Sequence, residues 1–315
     1  MKLKHYSVLS LCMFGSLLAV PFSMWAGPQT EVTICSASVL NPTAVEVVFS
    51  NQQRMTLDFY GENIFRLFQD NKGGIVRNPE AVPEAQILVN NPRQEVGKLS
   101  LTDKDGVITV ATDRIEVEMD KRTMLFKITD KARHKVVAEA VRPADFAEKQ
   151  VSLFLKEHEG EFFYGGGVQN GRFSHKGKKI HILNTSQWTD GGVASPTPFY
   201  WSTEGYGVMW HTFCPGVYDF GATDKGVVAL SHEGDYLDMF FMVDETPVAL
   251  LNDFYQLTGN PVLLPKFGFY EGHLNAYNRD YWKEDEKGIL FEDGKKYKES
   301  QKDNGGIKES LNGEK

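Results

Sequence analysis

Met55, Leu57 and Phe59 are spaced by Thr56 and Asp58, Gly61-Glu62-Asn63 follows, and Ile64, Arg66 and Phe68 alternate again. A period of two on both arms of a turn describes a hairpin with one side of each strand set against a core. The figure recurs. Leu99 and Leu101 lead into Asp105-Gly106, a strong hairpin turn, and residues 107–110 run on from it. Ile115, Val117 and Met119 precede Asp120-Lys121-Arg122, and Met124, Phe126 and Ile128 alternate back. Short strands with turns every 8–12 residues or so predict a β-sandwich.

Further strands are predicted at residues 45–50, 180–183, 196–202, 205–211, 217–220 and 238–243. Phe163-Tyr164-Gly165-Gly166-Gly167 opens a stretch that the glycines predict to be a shaped loop, since they permit backbone paths closed to other residues. It does not suit a phosphate cradle, because no Lys-Ser or Lys-Thr follows and no helical pattern opens after it. Thr246-Pro247 is an N-cap followed by proline at the first helical position, and Leu250, Leu251, Phe254 and Leu257 form one stripe. Gly259 ends this helix and Pro261 keeps it ended. Phe267-Gly268-Phe269-Tyr270 reads as a short buried strand, whereas residues 283–315 are densely charged and read as a solvated loop.

Lys2 and Lys4 precede an apolar run over residues 8–22, and Ser23-Met24-Trp25-Ala26 ends in small residues. This is the pattern of a secretory signal peptide, which predicts export to the periplasm or beyond. The run is short for a membrane span and holds Gly15, Ser16 and Pro21. A formal net charge of −8, with no basic run beyond Lys176-Gly177-Lys178-Lys179, argues against nucleic acid as a partner. Cleavage after Ala26 leaves Cys35 and Cys214, which are expected as two buried thiols rather than a disulfide. His175, His181 and His211 lack close ligand spacing and no Cys-x-x-Cys occurs, so neither metal nor cofactor is expected.

Tyr255-Gln256-Leu257-Thr258-Gly259 followed by Pro261 and Pro265 resembles the entry to the catalytic barrel of glycoside hydrolase family 31. Phe163-Tyr164-Gly165-Gly166-Gly167 resembles the Tyr-Gly-x-Gly turn of that family's N-terminal sandwich. Pro198-Phe199-Tyr200-Trp201 with Gly205-Tyr206-Gly207-Val208 resembles its Pro-Phe and Gly-Tyr-Gly-Val strand pair. The order of all three agrees over roughly residues 45–280, although Val168-Gln169-Asn170 stands where the family usually has an acidic residue.

The resemblance implies a mainly β chain, with a galactose-mutarotase-like β-sandwich followed by the first strand of a truncated (β/α)8 barrel. The segments would be a signal peptide (1–26), the sandwich (27–245), a connecting helix and linker (246–265) and the barrel start (266–315). It also implies a retaining α-glycosidase acting on α-linked oligosaccharide or polysaccharide. Its two catalytic Asp carboxyls would follow the fourth and sixth barrel strands, so none falls in this chain. Retention requires those carboxyls to stand about 5–5.5 Å apart.

Barrel active sites form at the C-terminal ends of strands, which makes Glu271, His273 and Asn275 candidates for binding sugar hydroxyls. Their alternative is pairing with neighbouring barrel elements. Trp188 and Asp190 lie in a Gly-rich loop, and an indole face with a carboxylate suits a sugar ring, the alternative being a Trp packed on the sandwich edge. Two other classes remain open: a non-catalytic carbohydrate-binding sandwich, and an aldose-epimerase-like enzyme using His181 or His211 with Glu204.

Overall fold

The computed structural model describes residues 32–70, 85–169, 171, 173–184, 193–265 and 282–299. The chain divides into two compact units, Met1–Asn260 and Pro261–Lys315.

The first unit begins with four strands in hairpin succession, β1 (Ile34–Asn41), β2 (Ala44–Phe49), β3 (Arg54–Gly61) and β4 (Ile64–Asp70). A second group follows: β5 (Ser100–Lys104), β6 (Val107–Ala111), β7 (Ile115–Asp120), β8 (Phe126–Asp130), β9 (Lys135–Ala147) and β10 (Gln150–Lys156). Then come β11 (Phe163–Gln169), β12 (Lys179–Ile182), β13 (Val193–Ser202), β14 (Tyr206–Trp210), β15 (Gly216–Phe220), β16 (Val227–Glu233), β17 (Tyr236–Val243) and the helix α1 (Pro247–Thr258).

These strands form two antiparallel sheets. The first has the order β1-β2-β3-β4-β17-β14-β13-β11, the second β12-β15-β16-β10-β9-β8-β7-β6-β5. Alternation does the sorting. In β7, Ile115, Val117 and Met119 are buried while Glu116 and Glu118 are half-exposed, and β10 does the same with Val151, Leu153 and Leu155. These inward residues meet Val45, Val47, Leu57, Phe65 and Phe241 of the first sheet in one continuous core. The β5–β6 turn carries Asp105 and Gly106 at φ 53° and 79°, the doubly positive geometry that matches hairpin twist.

Strands β3, β4, β14 and β17 are buried almost throughout, because the outer face of the first sheet is also covered. Leu250 and Leu257 of α1 pack there on Ile64, Phe199, Met209, Phe240 and Met242. The predicted caps hold. Thr246 accepts a hydrogen bond from the Ala249 amide, and Gly259 at φ 92° donates its N–H to the Tyr255 carbonyl.

Three expectations need correction. The glycine stretch expected as a loop is the strand β11, paired with β13 through Tyr164 opposite Trp201. The cysteines are unpaired, but Cys35 is exposed and Cys214 half-buried rather than both interior, because Cys35 falls on the outward side of edge strand β1. In the second unit, the expected solvated loop holds an antiparallel pair, β18 (Trp282–Leu290) and β19 (Lys296–Glu299), turned at Asp293-Gly294. Asp293 there accepts from the Lys295 amide (3.0 Å) and the Tyr297 hydroxyl (2.8 Å). Charge density does not prevent such pairing, since it joins backbones and leaves the side chains in water; a lone hairpin of this kind is marginally stable. The strand expected at residues 267–270 lies outside the described residues.

Candidate functional site

The Tyr-Gly-Gly-Gly motif makes an unusually close strand pair. Gly165, Gly166 and Gly167 all have positive φ (112°, 75° and 78°). A Cβ on Gly165 would stand 2.7 Å from the Phe199 carbonyl oxygen and 2.8 Å from the Tyr200 Cα, and one on Gly167 would strike the Ser195 carbonyl. Only glycine lets β11 approach β13 so closely. The approach lays Tyr164 on Trp201, rings stacked with centroids 4.5 Å apart, and Phe173 meets Tyr164 edge-on at 5.8 Å. Phe173 is 89% exposed, so this edge of the first sheet presents an aromatic platform to solvent. The His175 Nε2 bonds to the Gly165 carbonyl (2.8 Å) behind it.

Beneath the platform lies a polar cluster in the core. Glu161 is fully buried; it accepts from the Ser202 hydroxyl and from the His158 amide (2.7 Å). Burial pushes its carboxyl pKa up against those donors and the Tyr206 hydroxyl. The Tyr200 hydroxyl lies 3.5 Å from that of Tyr206.

A second buried cluster occupies the outer face of the first sheet. Arg66 on β4 donates from Nε to Asp238 Oδ1 and from Nη2 to Oδ2, both at 2.6 Å. His211 Nδ1 lies 2.9 Å from Asp238 Oδ2, and its Nε2 is buried without a hydrogen-bond partner among the described residues. Burial raises the Asp238 pKa, but Arg66 and then His211 more than offset it and hold the carboxyl below its usual range. Burial likewise lowers the Arg66 pKa, and Asp238 reverses that, leaving the guanidinium firmly charged.

The five sugar-contact candidates, Trp188, Asp190, Glu271, His273 and Asn275, all lie outside the described residues. The epimerase-type pairing does not assemble. Glu204 is engaged by Lys135 (2.9 Å), His211 by Asp238 and Arg66, and His181 is exposed on β12. Among the described residues no three His, Cys, Asp or Glu side chains converge as a metal site would need. Tyr200, Trp201 and Trp210, in strand-like segments, read from sequence as core; Tyr200 and Trp210 are, whereas Trp201 is half-buried in the platform with Tyr164. The buried Arg66–Asp238 pair was missed, although a signal existed: an Arg in the alternating register of Ile64 and Phe68 demands a buried carboxylate.

Residues 54–219 match the Glycosyl hydrolase 31 N-terminal galactose mutarotase-like domain. The chain is 31% identical over 138 residues to an alpha-xylosidase of Emericella nidulans, covering 42% of this chain and 17% of that protein. It is 25% identical over 217 residues to the alpha-xylosidase XylQ of Lactiplantibacillus pentosus, covering 67% of this chain and 27% of the relative. Among solved structures, a dextranase of Flavobacterium johnsoniae complexed with isomaltotriose superposes with a TM-score of 0.68 at 16% identity, over 75% of this chain and 29% of that one. An alpha-xylosidase from a soil metagenome, complexed with xylose, superposes at 0.59 and 16% identity, over 73% of this chain and 35% of that one. The chain thus spans about a quarter or less of those two curated relatives. The domain match covers more than half of the 315 residues, so the chain belongs to glycoside hydrolase family 31 and carries that family's N-terminal mutarotase-like domain.

Proposed function

We propose that this chain is the N-terminal part of an exported retaining α-glycosidase that hydrolyses O-glycosyl bonds in α-linked oligo- or polysaccharides, and that alone it does not turn over substrate. The observation that carries the reading is the partial span: the matched domain is the family's N-terminal sandwich, and the curated relatives extend far beyond it. Retention needs two carboxyls on either side of one glycosidic bond, and the resemblance puts both in barrel strands beyond this chain. Relatives named as α-xylosidases and solved neighbours holding isomaltotriose or xylose support an α-linked glycan as substrate class. Within this chain, Glu271, His273 and Asn275 after the first barrel strand, with Trp188 and Asp190 from the sandwich loop, would contact sugar in the whole enzyme.

Purified chain incubated with aryl α-xyloside, aryl α-glucoside and isomaltotriose tests this. No release above buffer is expected, and steady turnover by the chain alone overturns the proposal. Export is tested by N-terminal sequencing of the mature protein, with a start at Gly27 expected.

The Tyr164–Trp201–Phe173 platform favours a second reading, a sandwich that binds glycan without cleaving it, since aromatic faces suit sugar rings. Quenching or a shift of tryptophan fluorescence on titration with isomaltotriose, abolished by Trp201→Ala, would support it; a flat titration would remove it.

A further inference from the structure

The two sheets do not close on each other everywhere. Between β1, β3 and β4 on one side and β7, β8 and β9 on the other lies a cavity of about 160 Å³. Its cause is in β9. Against β10, the register slips on both sides of Arg142: Ser152 pairs with Asp145, Phe154 with Arg142, and Leu155 with Ala140. These are β-bulges, and Pro143, which lacks an N–H, stands inside them. The bulged strand places Ala140 and Ala144 where larger side chains would fill the space.

The floor of the cavity is buried and apolar, with Leu57, Phe65, Leu67, Leu153 and Leu237 each at most 4% exposed. Met55, Met119 and Met124 add flexible walls that adjust to a guest. Polar side chains reach only its mouth, through Asn51, Gln53 and Gln69. Among the described residues Arg142 is the one cation in the lining, and its guanidinium turns away, 3.6 Å over Phe154 on the side of β10 opposite Leu153 and Leu155. An apolar cavity of about 150 Å³ is known to take benzene.

We propose that this cavity is a binding site for a small neutral hydrophobe of about six or seven non-hydrogen atoms, an arene or a phenol whose hydroxyl faces the amides at the mouth. An aryl carboxylate such as benzoate is rejected, because none of the lining side chains would compensate its desolvation.

Thermal melts and calorimetric titrations of the 315-residue chain with benzene, phenol and benzoate test the site. At ten times its Kd, a neutral ligand should raise Tm by about 3–6 °C, while benzoate leaves it unchanged. Ala144→Leu should abolish the response to benzene by occupying the space. Where that variant fails to fold, diffraction from crystals under xenon pressure replaces it, with a xenon peak expected between Leu67 and Leu153. The proposal is overturned by the absence of a benzene response, by benzoate acting equally, by an undiminished response in folded Ala144→Leu, or by crystals with no xenon in the cavity.

Discussion

The Arg66–Asp238 pair is the most exacting test of how the first sheet is held. Asp238 is wholly buried and Arg66 nearly so, with two 2.6 Å bonds between them and His211 beside them. Arg66→Met would leave a buried carboxylate facing only His211, and Asp238→Leu a buried guanidinium facing only Tyr60, His211 and aromatic rings. Each single change should cost about 3–5 kcal/mol, because the survivor is an uncompensated charge. At about 2–4 °C per kcal/mol for a unit of this size, Tm should fall by roughly 6–20 °C. The double variant removes both charges, and its residual loss is the stranded His211 Nδ1, about 1–3 kcal/mol. Chemical denaturation of the four proteins at pH 7 gives the cycle, with a coupling of several kcal/mol expected. Additive losses, or singles costing under about 1 kcal/mol, would refute the claim that this face is sealed around a paired charge. Acid adds a second reading. The folded-state pKa of Asp238 lies below its unfolded value, so its contribution is full above about pH 4 and is lost as pH falls through the folded value. Asp238→Leu should therefore flatten the acid limb of the stability profile.

Gly167→Ala should cost at least ~2 kcal/mol, from left-handed strain together with displacement of β13, and should change Trp201 fluorescence because the stacked pair depends on that approach. Burial, helped by Asp244 and opposed by Asn63 and Arg114, pushes the Asp253 carboxyl up to about 7. The folded state therefore holds a proton that the unfolded state releases near pH 4, and stability declines as pH rises from about 4 to 7. Asp253→Asn, which keeps an acceptor for Asn63, should be more stable than the parent at pH 8 by about 1–2 kcal/mol after allowance for solvent screening, and no more stable at pH 4; thermal melts at both pH values decide it. Thr246→Ala should cost about 1 kcal/mol through loss of the cap on Ala249, read by urea denaturation with an unchanged m-value.

The strands that alternate cleanly between turn residues were readable, as were both ends of α1, because local chemistry fixes them. β10 alternates just as cleanly, but the charged and proline-containing run before it, Arg142-Pro143 to Lys149, masked the pattern. β16 was obscured because His232 fills an inward position, where it bonds to the Tyr218 hydroxyl and the Cys214 carbonyl. The three glycines argued for a loop because their permissiveness is visible in sequence, while the partner strand that requires it is not. The platform and the Arg66–Asp238 pair join residues remote in the chain, and no local period encodes such meetings. The sugar-contact candidates rest on the family resemblance together with the fit of their side chains to sugar rings and hydroxyls.

The place of β17 between β4 and β14 sets an order of events in time. Arg66 meets Asp238 across 172 residues of chain, so the first sheet stays open on its β4 side until β17 has been made. At a synthesis rate of 5–20 residues per second, that is a delay of roughly 10–35 s. During it the first four strands present an unpaired, strongly apolar edge, the kind that recruits another copy instead. The step that ends the delay closes a long loop, so joining β17 to β4 carries a larger entropic cost than forming the local hairpin of β3 and β4.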